Sequence, residues 1–194
     1  VAYRSLNLED NDEIITTPRT FIATASTLSV LGLKPIFADV DFDSGNITAE
    51  TIEPLINKKT KAISVVHLGG WPANIVEIKE LAKTYNLRLI EDCSQAHGAK
   101  INGLNVGSTG DIGTWSFCQD KILSTGGEGG MITTSDENIG KFISTWRDHG
   151  KNIKKMFIKN KSSSFRYIHD NFGLNYRMTE IQSKIGDMQL KKLS

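Results

Sequence analysis

Four short apolar runs, each closed by a polar or turn residue and separated by three stretches of helical character, limit what this chain can fold into. The runs are Glu13-Ile14-Ile15-Thr16, residues 35–40, residues 61–67 and residues 87–90. Continuous runs of this length, rather than alternating ones, belong to strands buried on both faces. Between them, residues 21–31 have helical composition and stop at Gly32, and residues 49–56 form a short helix. Glycine just past a helix takes the left-handed conformation that ends it. Ile75, Ile78, Leu81, Ala82 and Tyr85 keep helical spacing after Pro72. Two further strand candidates cover residues 111–117 and 130–134. Ser135 is read as the cap of a helix whose core face is Ile139, Phe142, Ile143 and Trp146, ending at Gly150. Thr179 with Gln182 three residues later forms a capping box for the last helix. Alternating strands and helices predict an α/β fold with a mostly parallel sheet and helices on both faces.

At 194 residues the chain is long enough for one domain that buries roughly 70% of its unfolded surface. Lys and Arg total 23 against 22 Asp and Glu, a net charge of +1. That balance excludes a dedicated nucleic-acid binder, which shows a basic excess, and an acidic disordered tail. Two cysteines, Cys93 and Cys118, make neither a disulfide framework nor a zinc site by themselves. No apolar run approaches the roughly 20 residues of a membrane span, and no signal-peptide pattern opens the chain, so the expected compartment is the cytoplasm. The opening Val-Ala-Tyr-Arg lacks a Met, and the chain closes within or at the end of an amphipathic helix; both predict a piece of a longer protein.

In open parallel sheets, ligands bind beyond the carboxyl ends of the strands. Asp92 ends one strand pattern, and Lys121 follows another, with Ser116 five residues before it. After Lys121 comes Ser124-Thr125-Gly126-Gly127-Glu128-Gly129-Gly130, a turn where backbone can approach a ligand closely. A lysine in a partly desolvated pocket is an amine nucleophile. Pyridoxal phosphate needs such a lysine, and a carboxylate for its ring nitrogen. Taken alone, these residue types fit a surface lysine and a helix-capping aspartate as well. His67 and His97 lack a third metal ligand at suitable spacing, so strand-end hydrogen bonding is expected of them. Cys93 and Cys118 are expected to be small buried hydrophobes.

Longer strings narrow the choice. Glu91-Asp92-Cys93-Ser94-Gln95-Ala96-His97-Gly98-Ala99 and residues 107–117 precede Lys121 in order. Gly127-Glu128-Gly129-Gly130-Met131, Arg147-Asp148-His149-Gly150 and Gly173-Leu174-Asn175-Tyr176-Arg177-Met178 follow it. Upstream stand Asp12-Glu13-Ile14-Ile15, Thr20-Phe21-Ile22-Ala23-Thr24 and Val66-His67-Leu68. Together, over nearly the whole chain, they resemble the DegT/StrS family of pyridoxal-phosphate-dependent sugar aminotransferases. The resemblance implies a fold-type-I large domain. Residues 1–194 would be its central part, without the N-terminal segment and the C-terminal small domain. It implies pyridoxal 5′-phosphate as cofactor, with Lys121 as the Schiff-base lysine and Asp92 as partner of the ring nitrogen. Gln95 would contact the ring hydroxyl, Ser116 the phosphate and Phe21 the ring face. Asn175 would reach across a homodimer to the neighbour's phosphate, and Arg177 is either part of that site or structural. The implied substrates are a nucleotide-linked keto sugar and an amino donor, glutamate.

Three departures bear on substrate and loop path: Gln119-Asp120-Lys121-Ile122 before the glycine turn, one extra glycine before Glu128, and Trp71 where the family often has Gln. The alternatives are a non-catalytic regulatory or interaction protein that keeps the fold, and a deoxysugar dehydratase. The dehydratase branch replaces the lysine by histidine, which Lys121 opposes. Lys151, Lys154, Lys155, Lys159 and Lys161, followed by Ser162-Ser163-Ser164, read either as a solvated loop or as a segment that meets a substrate diphosphate.

Overall fold

The computed structural model describes residues 1–152 and 168–193. The basic stretch beyond Lys151 lies outside the described residues. A short 3-10 turn, Tyr3–Leu6, opens the chain, and then strands and helices alternate. They are β1 (Glu13–Thr16), α1 (Ala23–Val30), β2 (Lys34–Phe37), α2 (Ala49–Ile52), β3 (Thr60–Val66), α3 (Ile75–Thr84) and β4 (Arg88–Asp92). A two-stranded antiparallel hairpin follows, β5 (Lys100–Ile101) with β6 (Leu104–Asn105), which no sequence pattern announced. The chain continues through β7 (Ile112–Ser116), β8 (Gly130–Thr133), α4 (Glu137–Trp146) and α5 (Glu180–Leu190).

The main sheet runs β2-β1-β3-β4-β7-β8. All neighbours are parallel except β8, which pairs antiparallel with β7 at the edge. The expected α/β architecture with a mostly parallel sheet is therefore present. Successive strands step one way from β1 to β2 and the other way from β2 to β3, so the winding reverses between β1 and β3. Crossovers in opposite directions, each right-handed, put their helices on opposite faces.

The alternation of side chains along each strand separates the two cores. Ile15, Ile63, Val65 and Leu89 pack with Ile52 of α2 and Ile75, Ile78 and Ala82 of α3. Their strand neighbours Ile14, Ala62 and Ile90 face the other way, to Leu28 of α1, Ile139 of α4 and Ala2. Each fully buried Ile contributes about 1.5–3 kcal/mol.

Two details differ from the sequence reading. The cap of α4 is Asp136, not Ser135: its Oδ1 accepts from the Asn138 and Ile139 N–H groups at 2.8 and 3.2 Å. Asp136 is one residue closer, which lets its carboxylate reach the second and third amides of the helix. Of the four residues expected in the α4 core, Ile139 is buried, whereas Phe142, Ile143 and Trp146 are only half-buried. Trp146 stacks on Tyr176 with ring centroids 5.8 Å apart. The capping box of α5 forms as expected, with Thr179 and Gln182 exchanging side-chain and backbone hydrogen bonds.

Candidate active site

An open cleft of about 1490 Å³ lies at the carboxyl ends of the strands. Its lining brings together all six residues singled out from the sequence: Phe21, Asp92, Gln95, Ser116, Lys121 and Asn175. The topology explains the convergence. Phe21 follows β1, Asp92 ends β4, and Ser116 ends β7. These strand ends flank the point where the winding reverses, which is where such sheets hold ligands.

Asp92 pairs in register with Val66 of β3 and Thr114 of β7. It lies two residues beyond Ile90, so its side chain leaves the sheet on the α1 face. Its Oδ1 accepts the Ser94 N–H at 3.0 Å, and its Oδ2 accepts the Thr24 hydroxyl at 3.4 Å. Lys121 follows β7 by five residues and its side chain is 21% exposed. Its Nζ lies 3.8 Å from the Asp120 carboxylate, which is itself 70% exposed. An exposed partner in water holds the amine weakly. The Ser116 hydroxyl accepts the Cys118 N–H at 3.4 Å. Gln95 Oε1 accepts the Gly69 N–H at 2.7 Å, which leaves the amide NH₂ of Gln95 as its remaining polar group. The Phe21 ring is 68% exposed on the cleft wall.

Asn175 bridges to Asp148 through the backbone and lines the cleft of its own chain. The Asp148 carboxylate binds Lys151 at 2.9 Å and also Arg177. Burial pushes its carboxyl up, but the hydrogen bonds and charges of Lys151 and Arg177 outweigh that and hold it below the ordinary value. Arg177 thus anchors the segment that carries Asn175 and also faces the cleft.

Immediately behind the cleft is a saturated polar cluster. Glu91 and His67 are fully buried and 3.0 Å apart. His67 Nδ1 accepts the Ala73 N–H at 3.1 Å, so Nε2 carries the proton and donates to Glu91. The Glu91 carboxylate also accepts N–H groups from Gly107, Thr109 and Gly110 at 2.6–2.8 Å. Burial works to raise its pKa, and these donors together with His67 overcome it, giving a lowered value. Cys93 Sγ, Glu91 and His67 lie within 4.8 Å of one another. The Glu91 acceptor sites are already occupied by N–H donors, so this is a hydrogen-bonded hub rather than a cation site. Gly107 is part of it: its φ is +75°, and a Cβ there would stand 2.6 Å from the Trp115 ring.

His67 therefore makes the strand-end hydrogen bonds expected of it. His97 does not. It is packed against Trp115 and Phe117, with ring centroids at 5.5 and 5.8 Å. A Ser116 backbone group lies near the ring, but among the described residues neither ring nitrogen has a hydrogen-bond partner. Burial, chiefly, lowers its pKa, and the Lys121 charge adds to that. Cys93 is buried, and burial pushes its thiol pKa well up. Cys118 is half-buried instead, with its thiol 3.5 Å from the Glu128 carboxylate. It stands on the cleft side of the bend after β7, where the sheet no longer covers it.

The sequence reading assigned no role to Thr24 or Glu91, although both stood in its quoted strings. Side-chain parity along β4 was a usable signal: Glu91 and Asp92 must face opposite sides.

Comparison with known proteins shows the family. The family model for the DegT/DnrJ/EryC1/StrS aminotransferase family matches residues 1–194. The UDP-N-acetyl-3-dehydro-alpha-D-glucosamine 3-aminotransferase of Acidithiobacillus ferrooxidans is 42% identical, over 95% of this chain and 47% of that protein. The GDP-perosamine synthase of Escherichia coli O157:H7 is 38% identical over 99% of this chain and 50% of that protein. The X-ray structure of an aminotransferase from Psychrobacter cryohalolentis superposes with a TM-score of 0.95 at 49% identity, covering 98% of this chain and 48% of that one. The chain thus spans about half the length of the curated relatives it matches. On the match along its whole length and the sheet that carries it, the chain belongs to the DegT/DnrJ/EryC1/StrS aminotransferase family.

Proposed function

We propose that the protein is a pyridoxal-phosphate-dependent aminotransferase that transfers an amino group, with glutamate as donor, to a keto sugar carried on a nucleotide. The observation that carries this reading is one cleft that gathers an amine, a carboxylate, an amide, a hydroxyl beside a glycine-rich turn, and an exposed aromatic ring. Family membership implies the cofactor, and this donor set fits it. The amine suits its aldehyde, the carboxylate its ring nitrogen, and hydroxyl and backbone N–H groups its phosphate. When bound, the cofactor supplies an electron-poor ring that stabilises negative charge on a substrate carbon.

The chain's own residues do the rest. Lys121 Nζ would hold the cofactor and carry the proton during transfer. The acceptor sites of Asp92 not used by Ser94 and Thr24 would hold the ring nitrogen in its protonated form. The NH₂ of Gln95 would donate to the ring hydroxyl oxygen, and Ser116 would bind the phosphate. Phe21 would pack on the ring face. Of the two relatives named above, one is a UDP-sugar aminotransferase and the other a GDP-perosamine synthase, which supports a nucleotide sugar as acceptor.

A homodimer belongs to the same proposal. Phe172, Leu174 and Tyr176, beside Asn175, are large and exposed, at 98%, 49% and 58%. Patches of this kind mark interfaces. Mixed dimers of Lys121→Ala and Asn175→Ala distinguish two arrangements. Rescue of activity places Asn175 in the partner's site, and absence of rescue places it in its own. The expected compartment is the cytoplasm, in keeping with two free cysteines. Among the described residues, no helix is long and apolar enough to cross a membrane.

The test is to add pyridoxal phosphate to the protein, record its visible spectrum, trap with borohydride and map the labelled peptide. A visible band with the label on Lys121 is expected. A protein that stays colourless and unlabelled overturns the enzyme reading in favour of the regulatory one.

A further inference from the structure

The Asp92 carboxylate is held from two different elements. Ser94, next along the chain, donates its N–H to Oδ1 at 3.0 Å. Thr24, on the first turn of α1, donates its hydroxyl to Oδ2 at 3.4 Å. Among the described residues these are the two hydrogen bonds to that carboxylate. The Thr24 oxygen is in turn 2.9 Å from the hydroxyl of Thr20, four residues earlier in the bend before α1. A hydroxyl has one proton. With Thr24's proton directed to Asp92, Thr20 is the donor in the threonine pair. Thr24 is 7% exposed, so its hydroxyl has little access to water as an alternative partner.

One donor leaves a carboxylate free to rotate about its Cβ–Cγ bond, whereas two donors on separate oxygens define its plane. An ionised carboxylate has about four acceptor sites. Two are used here, and the others remain on a group that lines the cleft. We propose that Thr24 is a positioning residue for Asp92: its hydroxyl, backed by that of Thr20, sets the rotation at which the unused acceptor sites of the carboxylate meet the ring nitrogen of the cofactor. The proposal rests on the reading of the cleft as a pyridoxal phosphate site. It gives the Thr20-x-x-x-Thr24 spacing a purpose, because both hydroxyls fall on one face of the chain as it enters α1.

The test compares wild type, Thr24→Val, Thr24→Ser and Thr20→Val as apoproteins titrated with pyridoxal phosphate, followed by kinetics. Valine keeps the shape of threonine and removes the donor. Loss of a hydrogen bond to a charged group predicts about tenfold weaker cofactor binding in Thr24→Val. Its visible band should respond to pH differently from wild type, and kcat should fall while KM for the sugar nucleotide holds. Thr24→Ser should restore all of these, and Thr20→Val should move them less, in the same direction. Circular dichroism and the urea midpoint establish that each variant folds. If Thr24→Val does not fold, Thr20→Val carries the test. Cofactor affinity and band unchanged in the folded valine variant overturn the proposal, as does a Thr24→Ser variant as impaired as Thr24→Val. Wild type that forms no visible band overturns the underlying reading instead, so the two failures are distinguishable.

Discussion

The last two residues of β4 put the same functional group in opposed settings. Glu91 turns to the α2 and α3 face, has no exposure, and has both oxygens filled by four donors. Asp92 turns to the α1 face, takes two donors, and opens on the cleft. Buried carboxylates survive only when paired and fully hydrogen-bonded. A carboxylate meant to bind something must be oriented and left short of partners. The difference therefore separates scaffold from site within one peptide bond, and it extends to their neighbours. His67 is locked by Glu91 and Ala73, whereas among the described residues the charged partner of Lys121 is the distant, exposed Asp120.

The comparison breaks most visibly at Lys121 and Asp92. Lys121→Ala should abolish turnover, and Asp92→Asn should slow it by about a thousandfold or more. Both should keep the wild-type unfolding free energy to within about 1 kcal/mol, since neither group is committed to the fold. Steady-state kinetics and denaturation of the same preparations check both halves. An active Lys121→Ala protein would remove the site reading altogether.

Glu91 should give the reverse profile. Glu91→Ala leaves three N–H groups and His67 without their acceptor, and breaking such a cluster costs about 3–5 kcal/mol. Urea unfolding beside Asp92→Ala sharpens the contrast, because the latter should cost about 1 kcal/mol or less. Equal costs for the two variants would show that the neighbouring carboxylates are not different in kind.

The pH dependence of stability separates two groups. Burial lowers the pKa of His97 from its ordinary 6.5. Below pH 6.5 the unfolded chain takes up a proton that the native ring refuses, so stability falls as pH drops from 6.5 to the lowered native value. Glu91, lowered from 4.5, contributes stability present above that value and lost as pH falls through the native one. Two separate declines are expected in urea midpoints measured from pH 8 to pH 3. His97→Phe should remove the upper one alone. An unchanged upper decline would assign it to another group.

The sheet was legible because its strands are short continuous apolar runs, and Ile14-Ile15 or Leu89-Ile90 has one meaning when both faces are covered. Residue types at strand ends pointed to Phe21, Asp92, Gln95, Ser116 and Lys121, the family strings supplied their expected roles and added Asn175, and the fold brings all six to one cleft. The hairpin of β5 and β6 was not, since two-residue strands carry no periodic signal. Nor was the hub around Glu91. Three of its four donors are backbone N–H groups, of Gly107, Thr109 and Gly110, and such groups are the same in every sequence. Ser135 was chosen as a cap over Asp136 because both residue types cap helices, and only the local geometry selects between them.

The smallest effect tests whether the turn beyond Lys121 belongs to the scaffold or to the site. Gln182 does two things at once. Its Oε1 accepts the Thr179 N–H at 3.1 Å and closes the cap of α5, while its Nε2 donates to the Glu128 carbonyl at 2.7 Å. Gln182→Ala removes both and should cost about 1 kcal/mol. Gln182→Glu keeps the acceptor for the cap and loses the donor to Glu128, so it isolates the second contact. If that contact pins the glycine turn, amide exchange over residues 125–130 should speed up in Gln182→Glu while the urea midpoint stays near wild type. Unchanged exchange would leave the cap as the whole contribution of Gln182. Because Glu128 lines the cleft with Lys121, faster exchange would place the boundary between scaffold and site at the α5 surface.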